Sequence, residues 1–159
     1  MINYRIMFVC HGNICRSPMA EFVFKKMIKD SRLENLFEVS SCATSSEEIW
    51  NGIGNPVYPP AAKKLSECGI SCSGKRAVQL CKDDYNKYDL FIGMDSANIR
   101  NMHRIFGSDP DGKISKLLNY DGKSDDVADP WYSGDFTTTY NDILSGCIGL
   151  LDYLKNNLE

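Results

Sequence analysis

Arg5-Ile6-Met7-Phe8-Val9-Cys10-His11-Gly12-Asn13-Ile14-Cys15-Arg16-Ser17-Pro18 is the stretch on which the fold turns. The run from Arg5 to Cys10 is short and apolar and gives way at once to His-Gly-Asn, the pattern of a buried strand entering a loop. Ser is a good N-cap and Pro suits the first helical position, so a helix is expected from Ser17-Pro18. Met19, Phe22, Val23, Phe24, Met27 and Ile28 supply its apolar stripe through about Asp30. A strand, a tight loop and a helix therefore follow one another directly.

The same alternation continues outward. Phe37 to Cys42 reads as a second strand, and Pro59 to Cys68 as a second helix ending at Gly69. The polar, Gly- and Pro-bearing segment from Thr44 to Tyr58 is expected to be a long loop between them. Tyr88 to Met94 is a further strand, Asp95-Ser96 caps a helix through Ile105, Ile114 to Leu118 is a short strand, and Phe136 to Leu158 is a long amphipathic helix. This order predicts an α/β fold. The expected architecture is a three-layer sandwich whose mainly parallel, doubly wound sheet has about four strands and helices on both faces, with the ligand site at the carboxyl ends of the strands. With no internal repeat, low-complexity segment or linker, residues 1–159 read as a single domain.

Composition narrows the function. With 43% hydrophobic and 25% charged residues the chain can bury a real core, and a formal charge of -3 gives no bulk attraction to nucleic acid or to a membrane. Any anion must be captured by a local site. The seven cysteines form an odd, irregularly spaced set that fits a reducing compartment, so a cytoplasmic protein is expected. The apolar run Ile6 to Cys10 is too brief for a signal-peptide core or a membrane span. No CxxC pair occurs, and His11 and His103 have no partner at ligand spacing, so no metal site is expected.

Cys10 and Arg16 lie six residues apart on the loop between strand and helix. The N–H groups of a curled loop from His11 to Ser17, together with those of the first helical turn, form a concave anion site. A thiol inside such a site should ionise readily, and an arginine there can hold two phosphate oxygens while leaving phosphorus open to in-line attack. Gly12 and Asn13 tolerate the left-handed backbone that the curl requires. A Walker phosphate loop is excluded, because no Gly-Lys-Ser/Thr occurs at the required spacing. Taken singly, Cys10 reads as a core cysteine and Arg16 as a surface residue; taken as a set with Ser17-Pro18 behind them, they read as a reactive phosphate site.

These residues resemble the Cys-x5-Arg-Ser signature of the low-molecular-weight protein tyrosine phosphatases. The likeness extends to Tyr88-Asp89 leading to Met94-Asp95 and Asn98, to Asp129-Pro130-Trp131-Tyr132 and to the closing helix. It implies that Cys10 is the nucleophile and Arg16 the phosphate clamp. Asp129 would be general acid and then base, and the Ser17 hydroxyl would stabilise the thiolate as it leaves. Residues His11, Gly12, Asn13, Ile14, Cys15, Arg16 and Ser17 would hold the phosphate. No cofactor is implied. The expected partner is a phosphotyrosine-containing protein or peptide, with inorganic phosphate as product and inhibitor, and a monomer is the expected state.

From chemistry alone Asp129 stands level with Asp121, Asp125 and Asp126. Trp131 and Tyr132 beside it can wall a cleft, and Trp50 with Ile14 is expected to form the opposite wall of a slot that fits a phenyl ring. The resemblance departs at Lys75-Arg76-Ala77-Val78, where the family usually has a histidine that supports the loop asparagine; Ser40 or Ser41 can still hydrogen-bond towards the loop. Cys15 is expected to form a reversible disulfide with Cys10, as is seen in the family. Three other readings remain. An arsenate reductase of this fold needs two further relay cysteines; Cys81 could serve as one, but no second Cys follows it before Cys147. A phosphoarginine phosphatase tends to carry Thr where this chain has Ile14. A non-catalytic phosphate-binding module needs neither Cys10 nor Asp129.

Overall fold

Strand β1 (Tyr4–Cys10) is the axis of the sheet, and its side chains part by turns into two cores. Ile6, Phe8 and Cys10 enter the larger core, whereas Met7 and Val9 enter the smaller one on the other face. In the computed structural model, which describes residues 1–158, β1 pairs in parallel with β2 (Phe37–Ala43) on one side and with β5 (Leu90–Gly93) on the other. Strand β6 (Ile114–Lys116) adds in parallel to β5, giving the order β2-β1-β5-β6. Helices α1 (Arg16–Asp30), α2 (Pro59–Glu67) and α5 (Phe136–Lys155) fill the larger core. Helix α3 (Ser96–Phe106) covers the opposite face through Met102 and Phe106. Both faces of a parallel sheet are thereby buried, which is why its strands read as apolar runs.

Four local expectations change. Helix α1 begins at Arg16 with Cys15 at its N-cap position and no side-chain cap, because the Ser17 side chain turns inward to Cys10 and the first-turn N–H groups face the loop. The expected strand from Ile114 to Leu118 stops at Lys116, where Leu117 and Leu118 enter a 3₁₀ turn (Leu117–Asp121) and are buried against α5. The closing helix ends at Lys155. The long loop contains an antiparallel hairpin, β3 (Ile49–Trp50) and β4 (Ile53–Gly54), whose turn residues Asn51 and Gly52 have φ of 51° and 77°. Two successive left-handed residues are what a tight two-residue hairpin needs, and Asn-Gly supplies them.

Among the described residues no helix is long and apolar enough to cross a membrane. Helix α5 instead lies close on the turn after β6: a Cβ at Gly149 would sit 2.1 Å from the Tyr120 carbonyl oxygen, and one at Gly146 would sit 2.5 Å from Leu117 Cγ. Backbone cannot yield as a side-chain tip can. Gly149→Ala is therefore expected to destabilise the protein by about 1–3 kcal/mol, the scale of overpacking, measured as a lower midpoint in urea unfolding.

Candidate active site

Strand β1 delivers Cys10 to the carboxyl edge of the sheet, and the chain then curls back so that its next N–H groups face the sulfur. Cys10 Sγ accepts from the N–H groups of Asn13 (3.3 Å) and Ser17 (3.4 Å) and lies 3.0 Å from Ser17 Oγ. The curl depends on Asn13, whose φ of 60° is left-handed. Its amide is fixed on both ends: Nδ2 donates to Ser17 Oγ (2.8 Å) and Ser41 Oγ (2.9 Å), and Oδ1 accepts the Val78 N–H (3.1 Å). The support for Asn13 thus comes from Ser41 and from a main-chain donor of the segment that departs from the family pattern. Lys75 does not touch Asn13; its ammonium donates to the Ser41 carbonyl.

Arg16 is only 4% exposed, yet partners from two distant segments meet it. Its Nη1 donates to Asp95 Oδ2 (2.8 Å) and to the Val127 carbonyl (3.2 Å), and its Nη2 lies 3.5 Å from Asp129 Oδ2. Burial by itself disfavours its charge, but the negative charge at Cys10 and the carboxylates of Asp95 and Asp129 outweigh that and hold the guanidinium above the ordinary arginine range. Asp95, read from the sequence only as a helix cap, does both jobs: Oδ1 accepts the Asn98 N–H of α3 (2.8 Å) while Oδ2 holds Arg16.

Asp129 caps the four-residue helix α4 (Pro130–Ser133), with Oδ1 accepting the Trp131 N–H at 3.0 Å. A cavity of about 470 Å³ opens above Cys10 and Arg16, and of the four neighbouring aspartates only Asp129 lines it. Asp126 is spent on Lys116 (2.9 Å) and Ser96, and Asp121 on Lys123 (3.2 Å). His11, Gly12, Asn13, Ile14, Cys15, Trp131 and Tyr132 also face the cavity, whereas Ser17 is buried behind Cys10. Trp131 is braced by Tyr58, whose ring centroid is 5.1 Å away and whose N–H donates to the Ile14 carbonyl (2.8 Å).

Trp50 is not a cavity wall. It stands 79% exposed on the hairpin, and Glu47 and Glu48 line the cavity on that side instead. The physical reason is the hairpin, whose tight turn carries Trp50 outward while the preceding residues are drawn in by the contact of Glu47 with His11 (3.0 Å). Cys81 is exposed and outside the cavity.

The model of the low molecular weight phosphotyrosine protein phosphatases matches residues 5–159. The chain belongs to this family. It is 37% identical over 156 residues to the low molecular weight protein-tyrosine-phosphatase YfkJ of Bacillus subtilis (strain 168), with 97% of each chain covered. It is 36% identical to the low molecular weight phosphotyrosine protein phosphatase of Gallus gallus, covering 92% of this chain and 93% of that one. The crystal structure of YfkJ superposes with a TM-score of 0.92, covering 100% of this chain and 98% of the other.

In this phosphatase the second loop cysteine differs sharply from the first in its surroundings. Burial first, and then the negative charges at Cys10 and Asp129, push the Cys15 thiol up to about 12. A raised value means that Cys15 is protonated throughout the neutral range and gains thiolate only in strong alkali. Iodoacetamide at pH 7–8 is therefore expected to leave Cys15 unmodified, as read by peptide mass spectrometry; carbamidomethyl-Cys15 in folded protein at that pH would contradict the site as described.

Proposed function

We propose that the protein hydrolyses phosphotyrosine in proteins or peptides through a cysteinyl-phosphate intermediate. What carries this reading is the meeting of Cys10, Arg16 and Asp129 on one cavity, although they come from β1, α1 and the segment before α4. The Cys10 thiolate attacks phosphorus while Arg16 and the loop N–H groups hold the equatorial oxygens. The Sγ–P bond forms, the P–O bond to the ring breaks, and Asp129 gives its proton to the departing phenolate. Its Oδ1 accepts the Trp131 N–H and its Oδ2 lies 3.5 Å from Arg16 Nη2, so the carboxyl is fixed at the cavity beside the phosphate clamp.

In the second step Asp129 takes a proton from water, the water oxygen bonds to phosphorus, and the Sγ–P bond breaks to release inorganic phosphate. The phosphate leaves the same cradle and competes with substrate for it. The three donors around Cys10 Sγ receive the returning negative charge. Ile14, Trp131 and Tyr132 offer a phenyl ring apolar surface in the cavity. Oxidation of Cys10 to a sulfenic acid would place Cys15 as the thiol that condenses with it, giving a disulfide that a dithiol reverses.

The test is hydrolysis of phosphotyrosine, phosphoserine and phosphoarginine peptides with EDTA present. Activity on phosphotyrosine is expected, lost in Cys10→Ser and reduced by roughly a hundredfold in Asp129→Asn, the scale of general acid catalysis. A preference for phosphoarginine would keep the mechanism and replace the substrate; inactivity on all three would defeat the proposal.

A further inference from the structure

Behind the phosphate loop lies a polar chain that is buried from end to end and whose far end, Ser41 and Glu21, takes no part in the chemistry above. Glu21 on α1 is 4% exposed, Ser41 on β2 and Asn13 are each 1% exposed, and Ser17 is sealed. Ser41 Oγ donates to Glu21 Oε1 at 2.6 Å, Asn13 Nδ2 donates to Ser41 Oγ at 2.9 Å and to Ser17 Oγ at 2.8 Å, and Ser17 Oγ lies 3.0 Å from Cys10 Sγ. Two ammonium groups balance the buried carboxylate: Lys25 bonds Oε2, and Lys75 lies 3.6 Å from Oε1 while donating to the Ser41 carbonyl at 2.9 Å.

The direction of each bond follows from the one before it. An ionised carboxylate only accepts, so the Ser41 hydroxyl must spend its single proton on Glu21. Ser41 Oγ then has only lone pairs to offer Asn13, which must present its NH2 group. The Val78 N–H reaching Asn13 Oδ1 from the other side agrees with that orientation. Ser17 Oγ in turn accepts from Asn13, and its own proton is left for Cys10 Sγ at 3.0 Å or the more distant Cys42 carbonyl at 3.4 Å.

We infer that Glu21, held by Lys75, is a positioning residue that sets the polarity of this relay and so aims the Ser17 hydroxyl at the Cys10 sulfur. The inference rests on the phosphatase reading above. The aimed hydroxyl matters most when sulfur regains its negative charge, which is the second step, the cleavage of the cysteinyl phosphate. A glutamine at position 21 keeps the shape but can donate as well as accept, so it can meet Ser41 from either direction and the aim is lost. An aspartate loses length but keeps the acceptor-only character.

The test is steady-state and rapid-mixing kinetics on p-nitrophenyl phosphate for wild type, Glu21→Gln, Glu21→Asp and Lys75→Met. In Glu21→Gln, kcat is expected to fall about tenfold, the scale of a mis-set catalytic group, with KM falling alongside so that kcat/KM changes less, and with a burst of p-nitrophenol. Glu21→Asp should retain more kcat than Glu21→Gln, the reverse of the order expected for packing. Lys75→Met should show the same split more weakly. Ser41→Ala, which cuts the relay one link later, should reproduce it if Glu21→Gln fails to fold. Equal falls in kcat and kcat/KM, or a glutamine variant with wild-type kinetics, would overturn the inference. A wild type that hydrolyses no aryl phosphate would instead overturn the reading beneath it.

Discussion

The Arg16 guanidinium is sealed from solvent at the floor of a cavity, and a buried charge of that kind persists only if it is fully partnered. Its partners come from far apart in the chain: Asp95 at the start of α3, the Val127 carbonyl, and Asp129 at the start of α4. One cation therefore ties α1 to two distant segments, the start of α3 and residues 127–129, at the carboxyl edge of the sheet. Each acidic partner is fixed a second time by the helix it caps, through Asn98 N–H for Asp95 and Trp131 N–H for Asp129. The geometry that stabilises the fold at this edge is the same geometry that surrounds Cys10.

The sheet register supplies the other half of the constraint. Cys10 pairs with Ala43 on β2, and Val9 with Gly93 on β5, so the three strands end level and Thr44, His11 and Met94 leave them together. A strap from Arg76 to Leu80 then stitches across this edge. Its main chain bonds Ala43 on β2 and Asn55 after the hairpin, Arg76 Nη1 reaches the Gly54 carbonyl, and Val78 N–H holds Asn13. The fit at Gly54 is close enough that a Cβ there would meet the Ala77 carbonyl oxygen at 1.9 Å. The hairpin, the strap and the phosphate loop are thus one connected unit.

Much of this was legible in the sequence because it depends on short-range rules. The apolar run into His-Gly-Asn marks β1 and its loop, Asp95 marks the start of α3, and the alternation of strands and helices marks the parallel sheet. Asn51-Gly52 was also a readable hairpin signal, obscured by the polar loop around it. Other features depend on distant partners. Nothing local separates Asp129 from Asp126; Lys116, ten residues away in sequence, engages the latter. The second role of Asp95 appears only when α1 arrives beside it. Support for Asn13 could not be read from side-chain identity at positions 75–78, because a backbone N–H supplies it and any residue but proline carries one.

The two loop cysteines show how one field can assign opposite roles to the same side chain. Cys10 sits where the N–H groups of Asn13 and Ser17 converge with Ser17 Oγ 3.0 Å away, whereas Cys15 is buried beside the negative charges at Cys10 and Asp129, and burial together with those charges keeps it protonated. A protonated thiol is a poor target for oxidants, so on the proposed reading peroxide attacks Cys10 rather than Cys15. Conversion of Cys10 to a neutral sulfenic acid removes one of the charges that hold the Cys15 proton. Burial, the larger cause, remains. On the proposed reading Cys15 thus loses part of what holds its proton at the moment its neighbour becomes electrophilic, and the electrostatics that keep it protonated beforehand then favour condensation with Cys10.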